Sequence, residues 1–92
     1  MVDVLVSGAV LKMGQHSVPA PATIEAALQA AGGLARLPKM WPAGPIAVRR
    51  PLGDRKVKVW RFHLNDPEPQ EWRRFELISG DLVVFAWHVE PL

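Results

Sequence analysis

The side chains of this chain best suited to recognition chemistry cluster in IAVRRPLGDRKVKVWRFHL and in the apolar run LVVFAWHV. Arg49, Arg50 and Arg61 each carry a planar fork of N–H donors that fits a carboxylate or a phosphate, and they crowd one short stretch. Trp41 adds a flat apolar surface on which a sugar ring can rest. Together Arg49, Arg50, Arg61 and Trp41 define a candidate contact set for a sugar-like or anionic ligand. Trp87 and His88, near the end of the apolar run, are candidates for a protein interface, because a large aromatic on a sheet face is the usual anchor of one.

Catalytic chemistry finds little support. The three histidines, His16, His63 and His88, lie far apart and lack carboxylates at metal-ligand spacing, so no metal site is expected. There is no G-x-S-x-G, H-E-x-x-H or P-loop, hence no expected cofactor and no expected enzyme activity. Glu68 and Glu71 sit in a proline-rich polar stretch and read as solvated groups.

Gly32-Gly33 could be mistaken for a phosphate cradle. Phosphate-binding glycines precede a helix, where amide N–H groups face the anion, whereas these follow TIEAALQAA and meet the carbonyl end. They are expected to stop the helix, with glycine supplying the left-handed conformation that the turn requires.

The chain has 92 residues, 49% of them hydrophobic and 22% charged, which suits a single globular domain over 1–92 and excludes disorder. Without cysteine there is no disulfide framework and no thiolate metal site. No apolar stretch reaches membrane-spanning length, so direct membrane insertion is not expected. A net charge of +2, with neither a helix-turn-helix nor an aromatic ribonucleoprotein motif, argues against nucleic acid. MVDVLVSGAV lacks the basic start of a signal peptide, so the sequence predicts a cytoplasmic protein if the chain is native and complete. It predicts a periplasmic one if the chain is a piece of an exported protein.

The elements that must position these residues follow from local pattern. Val2 to Val10 and His16 to Val18 read as a hairpin turning near Met13-Gly14. Thr23 is a good N-cap, and Ile24, Ala27, Leu28 and Ala31 give the helix behind it one apolar face. Leu34 to Pro45 has three prolines and no period and reads as a loop. Ile46 to Arg50 and Lys56 to Leu64 read as antiparallel strands around Leu52-Gly53-Asp54, with a bulge expected near Val59-Trp60. Leu82 to Val89 is apolar in both phases, as a central strand parallel to the first would be.

That order predicts an α+β fold of the β-grasp (ubiquitin-like) arrangement: a mixed four- or five-stranded sheet with one main helix packed on one face. One helix of this length leaves the second face open. Either the loop Leu34 to Pro45 covers it or a partner does, with Trp87 at the centre and the Arg49 region at the rim.

VSGAVLKMGQHSVP, TIEAALQAAGGL, IAVRRPLGDRKVKVWRFHL and ELISGDLVVF together resemble the soluble-ligand-binding β-grasp (SLBB) domain found in bacterial polysaccharide export proteins. The matching positions are Gly8, Val10, Gly14, Ala31, Gly32, Gly33, Arg49, Gly80 and Asp81, while Met13 stands where the family usually has proline. The resemblance implies a non-catalytic module that binds a soluble ligand or a neighbouring protein domain, and its alternative is a structural or oligomerisation domain without a small-molecule ligand. A sulfur carrier or ubiquitin-like modifier of similar topology would end in a flexible Gly-Gly, and this chain ends HVEPL.

Overall fold

In the computed structural model, which describes residues 1–91, five strands form one mixed sheet. In chain order they are β1 (Val2–Gly8), β2 (Gly14–Val18), β3 (Met40–Gly53), β4 (Lys56–His63) and β5 (Leu82–Val89). A helix, α1 (Ile24–Ala30), lies between β2 and β3, and a single 3₁₀ turn spans Glu71–Arg73. The strands lie side by side in the order β2-β1-β5-β3-β4. β1 and β5 are parallel, with Val6 opposite Val83, and every other pairing is antiparallel. The first and last strands thus meet in the middle of the sheet, as the double-phase apolarity of LVVFAWHV requires.

Seven residues are too few for α1 to stand alone in water, so its caps and its buried face hold it. Thr23 Oγ1 accepts the Ala26 amide at 3.1 Å, and Ile24, Ala27 and the C-cap residue Ala31 are buried. At the other end Gly32 and Gly33 have φ of +85° and +91°, and their amides return to the Gln29 and Leu28 carbonyls at 3.0 and 2.9 Å. This is a Schellman closure, and the glycines are a helix stop. Gly8 serves another purpose: a Cβ there would run into the Phe85 carbonyl, so glycine is what lets β1 close on β5.

The core lies between α1 and one face of the sheet, which contributes Val4, Val6, Ile46, Val48, Val83 and Phe85. Among the tryptophans, Trp72 is buried while Trp60 and Trp87 pack at the core margin. Among the described residues no helix is long and apolar enough to cross a membrane.

Three expectations need correction. Met40 to Pro45 belongs to β3 instead of a loop: Met40, Trp41 and Pro42 pair with Val89, His88 and Trp87. The prolines are tolerated because the β3–β5 register shifts between Pro42 and Ile46, around a Gly44 with φ of +113°. No bulge occurs at Val59-Trp60, since β3 and β4 stay in register from Pro45↔His63 to Pro51↔Val57 and slip only next to the turn. Val57 and Val59 on one face, with Trp60 and Phe62 behind them on the other, is ordinary period-two alternation once Lys58 is counted with the latter. The hairpin turn itself is Asp54-Arg55, both at positive φ, the backbone twist that favours tight antiparallel pairs.

Candidate functional site

Adjacent strand residues point to opposite sides of a sheet, so Arg49 and Arg50 part company. Arg50 follows Ile46 and Val48 onto the helix side, and Asp81 stands directly across from it because Arg49 pairs with Leu82. Arg50 Nε donates to Asp81 Oδ1 and Nη2 donates to Oδ2, each at 2.9 Å, and Nη2 also reaches the Glu76 carbonyl at 3.3 Å. Asp81 is fully buried, and its Oδ2 accepts the Ile78 amide at 2.9 Å, closing the Ser79-Gly80 turn.

The guanidinium stacks 4.6 Å above the Trp60 ring and lies 5.9 Å from Phe75, which in turn touches Trp60 and Phe62. The hydrogen bond to Asp81 raises the Arg50 pKa, burial opposes it to a lesser extent, and the carboxylate's charge adds the smallest contribution, again upward. A raised folded-state pKa means that this stabilisation is complete below the arginine's ordinary value and fades only as pH climbs past it, beyond any physiological range. Arg50 is therefore a fixed cation whose Nε and Nη2 donors are used within the fold. It leaves the candidate ligand set.

Arg49 and Arg61 lie on the other side. They are exposed, and no carboxylate pairs with either among the described residues. Arg49 is opposite Val59 and Ala47 is opposite Arg61, so the two arginines are diagonal neighbours, roughly 7 to 8 Å apart at the backbone. Between and around them the surface is apolar. Leu5, Val57 and Val59 are 48%, 45% and 42% exposed, and Leu82, Val84, Ala86 and Ala47 are half-covered by their neighbours alone.

Two shallow depressions mark this face. One of about 190 Å³ is bordered by Ala47, Arg61, Val84 and Ala86. The other, of about 260 Å³, is bordered by Leu5, Arg49, Val57 and Leu82.

Trp41 and His88 are cross-strand partners, their rings 4.6 Å apart and tilted by 32°, and His88 is in phase with Leu82, Val84 and Ala86. They extend the open face toward the end of the sheet. Trp87 does not belong to it: in phase with Val83 and Phe85, it packs against the core on the helix side. Of the six residues singled out from the sequence, Arg49, Arg61, Trp41 and His88 share the open face, while Arg50 and Trp87 belong to the covered side.

The segment Leu34 to Pro45 does not fold over the open face, because its second half is spent lengthening β3. Leu5, Leu82, Val84, Val57 and Val59 are the residues that sequence reasoning missed, and the signal was present in the parity of each strand. Among the described residues no three His, Asp or Glu side chains gather as a metal site.

No protein-family model matches the sequence, and no curated protein matches it. What the open face can do must therefore be argued from its own chemistry.

Proposed function

We infer that the chain is a non-catalytic binding module in the β-grasp arrangement, of the kind it resembles in soluble-ligand-binding β-grasp domains, and that its open sheet face docks a protein surface. The strand order, with parallel first and last strands at the centre and the helix between β2 and β3, supports the arrangement. One observation carries the docking reading: a continuous apolar sheet face, with two unpaired arginines, that no part of the described chain covers. The depressions on it are smaller than the roughly 300 to 1,000 Å³ of a small-molecule pocket, and they are open. A flat apolar surface with arginines set among its apolar side chains matches the composition of a protein interface, where arginine is enriched.

The partner is a neighbouring domain or a second copy, as for the SLBB domains of polysaccharide export assemblies. The face is polarised in a way that suits a second copy. Asp3, which also accepts the Ser17 hydroxyl, lies on the β1 side and Arg49 and Arg61 on the β3–β4 side, so a two-fold axis parallel to β5 brings one copy's Asp3 toward the other's arginines. A second reading, a soluble sugar-like or anionic ligand, is favoured by the closeness of Arg49 to Arg61.

Light scattering and amide NMR shifts of the chain up to millimolar concentration separate these readings. Docking predicts concentration-dependent shifts at Leu82, Val84 and Arg61 that disappear in Val84→Asp. The ligand reading predicts saturable shifts at Arg49 and Arg61 with sulfate or glucuronate and no self-association. A strictly monomeric chain that binds neither anion overturns docking of a second copy and the ligand reading together.

A further inference from the structure

The sheet has two edges, and they differ. β2 is five residues long, carries no charged side chain and runs into Pro19. β4 is eight residues long and contains no proline, and among the described residues it pairs only with β3, so the backbone amides and carbonyls of every second residue, which face outward, have no strand partner there. Its sequence, KVKVWRFH, has three cations and no carboxylate, and Arg55 adds another in the turn that leads into it. Asp66, just past its end, is turned back to accept the His63 amide.

The charges are arranged by face. Lys56 and Lys58 point to the side of Trp60, where the Lys58 ammonium lies 4.8 Å from the ring centroid, while Val57 and Val59 lie exposed on the open face. A second copy of β4 added to this edge would bring lysine and arginine against lysine and arginine, which cross-strand pairing penalises. An extended segment that alternates carboxylates with β-branched residues meets the opposite situation. Its acids fall beside Lys56 and Lys58, its apolar side chains beside Val57 and Val59, and its backbone takes the free ladder. We propose that the outer edge of β4 is a binding site for an acidic extended protein segment, which adds to the sheet as a sixth strand.

The test uses the intact chain, labelled with ¹⁵N, and the capped peptide Val-Glu-Val-Glu-Val-Glu-Val, with its Val-Lys counterpart as control. The glutamate peptide should give saturable shifts centred on 56–63 and slow hydrogen exchange at alternate β4 amides, while the lysine peptide gives none. In Lys56→Glu/Lys58→Glu the glutamate peptide should bind about tenfold more weakly, the sum of two exposed charge pairs reversed, and the lysine peptide should begin to bind. If that double substitution unfolds the chain, salt added to the unaltered protein reads the same charges, and binding must weaken as they are screened. Equal binding of both peptides, shifts centred on Val84 and Leu82 instead of β4, or no binding at all would overturn the proposal. Self-association lost in Val84→Asp reports on the open face separately, so the edge and the face can fail independently.

Discussion

Arg49 and Arg50 are consecutive residues of one strand with opposite roles. Arg50 faces a fully buried carboxylate 31 residues further along the chain, just before the adjacent strand β5, and its Nε and Nη2 donors are committed to it. Arg49 faces solvent among Leu5, Val57 and Leu82, and among the described residues no carboxylate pairs with it. The difference comes from the parity of β3 and the one acidic residue across from it. On the covered side an arginine holds the 78–81 turn to the sheet; on the open side it is available for recognition.

Substitutions on the two sides should separate just as clearly. The largest loss is expected for Asp81→Ala, which leaves Arg50 without its bidentate partner and the Ile78 amide without its acceptor; a cost of about 3 to 5 kcal/mol should appear in urea unfolding. Trp87→Ala should follow at about 2 kcal/mol, because the ring is packed against the core and only partly buried. If Trp87→Ala left stability unchanged while altering self-association, Trp87 would have to be returned to the interface. Gly33→Val should cost about 1 to 2 kcal/mol. A Cβ at that position meets open space, so the whole cost is the positive φ and no ligand effect is expected. Val84→Asp should cost about 1 kcal/mol in the same experiment, since the residue faces the open side but is half-covered on a central strand that disfavours Asp.

Features set by adjacent residues were readable in the sequence. Thr23, the apolar spacing behind it and Gly32-Gly33 specify α1 and its end through contacts within one turn of chain. Features set by register were not. The Arg50–Asp81 pair spans 31 residues and exists only because β3 and β5 align Arg49 with Leu82. The side of Trp87 is not legible because a strand apolar in both phases hides which phase faces the helix; the burial of Phe85, two residues before it, puts Trp87 on the covered side. Met40 to Pro45 was hidden by its own punctuation: Pro42, Gly44 and Pro45 read as loop, yet an irregular stretch of register accommodates them inside a long strand. The open face was legible only as an argument of area, that one short helix leaves one side of a sheet bare.

The division between the two sides is tested most directly by unfolding Arg49→Ala and Arg50→Ala side by side in urea. Arg50→Ala strands a buried carboxylate and should lose about 3 kcal/mol or more, whereas Arg49→Ala should stay within about 0.5 kcal/mol of the parent chain. Equal losses from the two substitutions would contradict the account, because they would mean that the open face is as much a part of the folded core as the covered one.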